Sequence, residues 1–217
     1  MRKTLRCAAL AAVAVALGAC SAGPVTPPAP TTSAPATSTT AAPSTAGSAG
    51  QVFGTACSRF PQGDAPGSLT AMARQPAATA IGTNPPLAEL GAAITAAGLG
   101  GTLDQQQAVT VFAPDDAAFA TVRTTLGADR FAALLQDTRA VTGVLALTVV
   151  ESRLDAAGLV SAKTVRTLSG AELTIGGTAD APTVTDPQGT TARVLCGNIP
   201  TANATVFVID KVLMPRS

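Results

Sequence analysis

Residues 21–51 most limit what this chain can fold into, because they consist almost entirely of Pro, Thr, Ser, Ala and Gly and carry no charge. Val25 is the only large aliphatic side chain in the segment. Such a segment buries too little apolar surface to offset the entropy lost on ordering. We therefore predict a disordered, Pro-rich tether over residues 20–51 and a single folded domain over residues 52–217.

The segment before the tether has the layout of a bacterial export signal. Basic residues precede an apolar run, 7–19, that closes on residues 17–20 (Leu-Gly-Ala-Cys). A cysteine directly after small residues is typical of a lipobox, so we predict a signal peptide over 1–19 and lipidation of Cys20. The apolar run is shorter than the roughly 20 residues that a membrane-spanning helix needs. The alternative is an ordinary cleaved signal that contains a cysteine.

The signal and the tether together predict where the protein resides. We expect an exported protein held by its N-terminal lipid at the outer face of the bacterial cell membrane, with a fraction shed or secreted. Thr37, Thr39 and Thr40 lie in the Pro-rich tether, and stalks of this composition are typical sites of O-glycosylation. A bare spacer without sugar is the alternative.

The four cysteines divide by position. Cys7 leaves with the signal and Cys20 carries the lipid, so Cys57 and Cys196 are the pair that remains in the folded domain. An isolated pair in an oxidising compartment outside the cytoplasm favours a disulfide, which we predict between these two residues. Two free, buried thiols are the alternative.

The composition excludes several classes of function. The chain has no His, so it contains neither a Ser-His-Asp nor a Cys-His catalytic group, and it lacks the commonest ligand of catalytic zinc. Three of its 14 basic residues belong to the signal, whereas all 13 acidic residues lie after it. The exported part is therefore slightly acidic, which predicts no binding of nucleic acid. We expect no cofactor and no metal.

The folded domain has helical patterns first and strand patterns later. Residues 84–86 (Asn-Pro-Pro) are typical of a helix start, and Asp115 and Asp137 are candidate N-caps. The second half alternates short β-branched runs with turns such as 186–189 (Asp-Pro-Gln-Gly). An isolated early strand, 109–113, needs partners from the later sheet. We predict an α+β domain in which helices pack on an antiparallel sheet or wedge.

Two segments resemble the conserved boxes of fasciclin (FAS1) domains. Residues 110–119 (Thr-Val-Phe-Ala-Pro-Asp-Asp-Ala-Ala-Phe) are similar to the first box, and residues 205–215 (Thr-Val-Phe-Val-Ile-Asp-Lys-Val-Leu-Met-Pro) to the second. Helices and then strands separate the boxes, as in that domain, so the resemblance covers about residues 69–215. It implies the FAS1 fold. The single-domain fasciclin antigens of mycobacteria are similar also in placing one cysteine before the domain and one just before its last strand.

Both boxes are expected to be structural, and two functional features of the family do not transfer. The family's Tyr-His pair is replaced here by Leu147-Thr148, and a threonine hydroxyl cannot take up a proton as histidine does. The Asp-Ile pair to which integrin recognition is assigned in animal relatives is reversed here, as Ile209-Asp210, on a strand that we expect to be buried.

Three classes of function are weighed against these sequence features: an interaction module, a ligand carrier and an enzyme. The signal, the tether and the resemblance favour a non-enzymatic adhesion or interaction module, a monomer whose partner is an envelope or host extracellular protein or polysaccharide. A carrier of envelope lipid or of another small ligand is the alternative. An enzyme is not expected, because the adjacent acids Asp115 and Asp116 sit where helix capping accounts for them.

Overall fold

The computed structural model describes residues 50–216. The predicted signal peptide, the lipidation site Cys20 and the tether residues Thr37, Thr39 and Thr40 lie outside the described residues. Cleavage, lipidation and glycosylation at these positions therefore stay predictions.

Short helices dominate the first part of the described chain, as the sequence predicts. Two of them are 3-10 turns, at Thr55–Arg59 and Pro85–Leu87. The α-helices are α1 (Leu69–Met72), α2 (Ala77–Gly82), α3 (Ala88–Ala96), α4 (Gly100–Gln105), α5 (Asp116–Leu126), α6 (Ala128–Gln136), α7 (Thr138–Thr148) and α8 (Ala156–Ala162).

Aspartates start three of these helices by accepting backbone N–H groups that would otherwise lack partners. The Asp115 carboxylate accepts from Ala118 N at 2.8 Å at the start of α5. The Asp137 carboxylate does the same for the first turn of α7, and that of Asp155 for α8. The capping roles predicted for Asp115 and Asp137 are therefore confirmed.

The predicted helix start at residues 84–86 differs in detail. Asn84 precedes the 3-10 turn, but its side chain makes no capping bond. Because Pro85 and Pro86 have no backbone N–H, the first two positions after Asn84 have no donor for a capping side chain. The buried Asn84 amide instead donates to the carbonyl of Gly67 at 2.6 Å, and α3 begins at Ala88.

Seven strands form one sheet in the order β2-β1-β7-β6-β5-β4-β3. Val150 of β2 also bridges Thr167, just beyond β3, so the two edges of the sheet meet and the sheet closes into a barrel-like wedge. The strands are β1 (Val109–Pro114), β2 (Val149–Val150), β3 (Thr164–Arg166), β4 (Glu172–Thr178), β5 (Ala181–Thr185), β6 (Thr191–Pro200) and β7 (Ala204–Ile209).

The α+β class is confirmed, and the sheet is mixed rather than wholly antiparallel. β1 lies parallel to β7, with Val109 opposite Ala204 and Pro114 opposite Ile209, whereas the other strand pairs run antiparallel. A parallel pair needs a long crossover, which α5 to α8 and β3 to β6 provide here. The early strand β1 is therefore paired with a strand from the second half of the domain, as its sequence requires.

The two faces of β1 and β7 separate two apolar cores. Val111 and Val206 point to the helices, whereas Phe112 and Phe207 point into the closed sheet, with ring centroids 5.9 Å apart. Every residue of both strands is buried. The expected burial of the last strand is confirmed, and side chains that alternate along both strands fill the two cores.

The last strand ends within the second box. β7 ends at Ile209, and the chain then turns so that Val212 packs in the helical core and Leu213 inside the sheet. The buried Asp186 carboxylate holds this end by accepting from Met214 N at 3.0 Å. Among residues 50–216, no helix has the length and apolar character that crossing a membrane requires.

Candidate functional site

The adjacent acids at the start of α5 act structurally. Asp115 is 4% exposed, and besides capping the helix its carboxylate pairs with Arg59 at 3.2 Å. Asp116 accepts from the backbone N–H of Glu89 at 2.9 Å, which ties α5 to α3. Both carboxylates therefore make contacts that stabilise the start of α5 and its packing on neighbouring segments.

The segment before α1 is fixed to the sheet at a bulge in β6. Phe53 pairs with Gly197 through two backbone hydrogen bonds, of 3.2 and 2.8 Å. A disulfide joins Cys57 and Cys196, whose Cα atoms are 5.0 Å apart although 139 residues separate them in sequence. The structure thus fastens the beginning of the described chain to the centre of the sheet.

Asn203, just before the second box, is a structural residue. Its Oδ1 accepts from Ala77 N at 2.8 Å, at the start of α2. Its Nδ2 donates to the carbonyls of Leu103 and Gln106 at 2.9 and 2.8 Å, at the end of α4. One side chain before β7 therefore supplies the ends of two helices with hydrogen-bond partners, in agreement with a structural role for the second box.

An apolar cavity of about 170 Å³ lies between α3, α4 and α7 on one side and β1 and β2 on the other. Its lining carries no charged side chain. The apolar lining residues are Leu90, Ile94, Leu99, Leu103, Val111, Leu145, Ala146, Val149 and Leu168, and the polar ones are Thr102, Gln106, Thr142 and Thr148.

A smaller cavity, of about 40 Å³, adjoins the first between α3, α5, α6 and α7. Leu90, Leu145 and Thr148 line both cavities and so form the wall between them. The remaining lining of the smaller cavity includes Phe119 and Phe131. The helical layer is therefore less completely filled around α7 than the close-packed interior of a typical domain.

Of the two residues that replace the family's Tyr-His pair, Thr148 lies at this wall and Leu147 does not. Leu147 is fully buried inside the closed sheet, and Thr148 faces the helical layer, where it is 2% exposed. The Thr148 hydroxyl donates to the carbonyl of Leu145 at 2.8 Å, within α7. The hydroxyl proton of Thr148 is therefore used in a hydrogen bond within its own helix.

Sequence reasoning could not assemble the cavity, because its lining comes from three helices, two strands and Leu168 after β3. Leu168 remains 38% exposed and is one of two exposed large apolar side chains among residues 50–216, a property of the structure that its sequence does not reveal. In the same residues, no group of three or more Cys, Asp or Glu side chains is arranged to hold a metal ion.

Comparisons with known proteins agree with this architecture. The family model described as "Fasciclin domain" matches residues 85–215. Cell surface glycolipoprotein MPB83 of Mycobacterium bovis is 37% identical over 232 residues, with 98% of this chain and 96% of the relative covered. Immunogenic protein MPT70 of Mycobacterium tuberculosis is 34% identical over 175 residues, with 77% and 84% covered.

A solved structure shares the fold. The FAS1 domain pair from the insect cell adhesion molecule fasciclin I aligns with a TM-score of 0.56 at 12% identity. The alignment covers 64% of this chain and 51% of that chain, so this protein spans about half of the pair. At this identity the likeness concerns the fold alone.

Proposed function

Because this chain belongs to the fasciclin domain family, we propose that it is a non-enzymatic surface protein that holds one interaction domain outside the cell membrane. The lipobox that ends in Cys20 carries this proposal, together with the family match over residues 85–215. The names of the relatives agree with it, since one is called a cell surface glycolipoprotein and another an immunogenic protein.

The fastening of residues 53–57 supports a role in display. A tether transmits any pull to the point where it joins the domain. Here the chain meets the sheet through the Phe53–Gly197 pairing and the Cys57–Cys196 disulfide. A disulfide close to that point keeps the domain folded when the binding partner and the membrane anchor pull in opposite directions.

The contacts of the adjacent acids account for these residues without a catalytic role. Asp115 and Asp116 make capping and inter-helix contacts, and the chain has no His. The interaction partner that we propose is an envelope or host extracellular protein or polysaccharide, met beyond the membrane surface at the end of the tether.

Labelling with an alkyne analogue of palmitate tests the anchor. The wild-type chain, expressed in a bacterium that processes lipoproteins, is expected to incorporate the label, and Cys20→Ser is expected to abolish it. Cys7→Ser is the matched control, since it removes a signal cysteine but leaves the lipobox intact. Equal labelling of wild type and Cys20→Ser would contradict lipidation at this residue.

Binding assays test the interaction role. The exported chain without lipid, residues 20–217 with Cys20→Ser, is immobilised and offered separately to envelope polysaccharide, envelope protein and extracellular matrix protein. We expect saturable binding to one fraction and none after unfolding and reduction of the immobilised chain. No saturable binding to any of the three would contradict the proposal.

A further inference from the structure

We propose that the cavity of about 170 Å³ is a binding site for the end of an uncharged aliphatic chain, roughly six carbon atoms long. This proposal does not depend on the display role proposed above, and the display role does not require the cavity. Its ligands are molecules such as long-chain alcohols, esters and amides, whose apolar end enters the cavity while the polar head stays at the mouth.

The size and lining of the cavity suit such a chain. Engineered apolar cavities of about 150 Å³ stay free of water and bind benzene, a molecule of six carbons. The cavity here has a similar volume, and Leu90, Ile94, Val111 and Leu145 lie among the side chains of its wall. A water molecule in it would find few hydrogen-bond partners, whereas an alkyl chain would restore the missing contacts with these side chains.

The mouth of the cavity has both an apolar edge and a polar edge. Leu168 contributes the apolar edge and is 38% exposed. Thr102, Gln106 and Thr142 contribute the polar edge. The side chains of these three make no hydrogen bond to another residue within the described 50–216 segment, so their hydroxyl and amide groups are available to a polar head.

A lining without charged side chains favours an uncharged head. No Lys or Arg lines the cavity, so a carboxylate entering it would have no ion-pair partner there.

A series of straight-chain alcohols tests the site. The probes are 1-butanol to 1-decanol, titrated into residues 20–217 with Cys20→Ser, and the readout is the change in amide NMR shifts. We expect affinity to rise about fourfold per added methylene up to roughly six carbons and then to level off. The shifted amides should belong to α3, α4, α7 and Leu168, and hexanoate should bind more weakly than 1-hexanol.

A cavity-filling variant separates this site from binding at the surface. Ala146→Phe places a ring in the cavity and is expected to abolish the chain-length dependence, whereas Ala133→Phe, on the exposed face of α6, should leave it unchanged. Should Ala146→Phe fail to fold, Thr142→Leu narrows the same cavity at a half-buried position and should lower the affinity for 1-hexanol.

Three results would overturn the proposal. They are an affinity that does not depend on chain length, shifts that map outside the cavity, and unchanged binding in a folded Ala146→Phe or Thr142→Leu variant.

Discussion

The ring of Phe53 lies directly against the backbone of Gly197, where the bulge of β6 leaves no room for a side chain. A Cβ built on Gly197 would overlap the Phe53 ring and would lie 3.0 Å from Cδ1 of Phe207. Phe207 is fully buried inside the closed sheet. The glycine is therefore required by the close approach of two rings, and it allows the segment before α1 to pair with β6.

Gly197→Ala is expected to lower the free energy of unfolding by about 1–3 kcal/mol, the usual effect of overpacking a core. Urea unfolding followed by far-UV circular dichroism measures the loss. In a Phe53→Ala background the same substitution should cost less, because one of the two clashing rings is absent. An equal cost in both backgrounds would show that the Phe53 contact is not the cause.

Removal of the disulfide is expected to destabilise the domain strongly. Cys57→Ser with Cys196→Ala should lower the free energy of unfolding by about 2–5 kcal/mol, because a loop closed over 139 residues restricts the unfolded chain. Alanine is chosen at 196 because that side chain is fully buried. Urea unfolding with and without reductant measures the effect.

The wild-type chain in reductant should approach the double variant in stability, and the double variant should not respond to reductant at all. Loss of stability in reductant by both chains alike would point to an effect unrelated to the Cys57–Cys196 bond.

Features that depend on neighbours in sequence could be predicted, since their physical causes are local. Asp115 and Asp137 cap helices because a short acceptor side chain precedes a helical pattern by the required spacing. The alternation of β1 likewise follows from its own residues. Asn84 shows the limit of this reasoning, because its amide bonds to Gly67, 17 residues earlier, rather than to the next turn.

Features that depend on distant partners could be predicted only in part, since the sequence indicates that the early strand needs a later partner but not the direction of their pairing. The parallel pairing of β1 with β7 joins segments that lie far apart in sequence, and it leaves no local mark in either. The cavity arises where α3, α4 and α7 meet the sheet, so its volume is a property of their relative placement. The resemblance to fasciclin domains supplied the fold, but it carried no information about this space.

Asn203→Ala is expected to lower the free energy of unfolding by about 1–3 kcal/mol, because it leaves an N–H of α2 and carbonyls of α4 without their partner. Hydrogen exchange should show faster loss of the Ala77 amide proton. Asn203→Asp retains the acceptor for Ala77 but turns an anionic oxygen toward the carbonyls of Leu103 and Gln106.

The aspartate variant should therefore keep the Ala77 amide more protected than the alanine variant does, while it still loses stability. Equal, wild-type protection of Ala77 in both variants would contradict the bonding assigned to Asn203.

Variants of Asp115 and Arg59 distinguish the contribution of the helix cap to stability from that of the ion pair. Asp115→Ala should cost about 1 kcal/mol, since the first turn of α5 loses the acceptor for Ala118 N. Asp115→Ser keeps a capping oxygen but not the charge, and Arg59→Ala removes the pair but not the cap. Because the Arg59 side chain is 61% exposed, its pair with Asp115 should contribute little. The midpoint of thermal unfolding should be close to that of the wild type for Arg59→Ala and for Asp115→Ser, and clearly lower for Asp115→Ala. If Arg59→Ala were as unstable as Asp115→Ala, the ion pair and not the cap would be the source of the stabilisation.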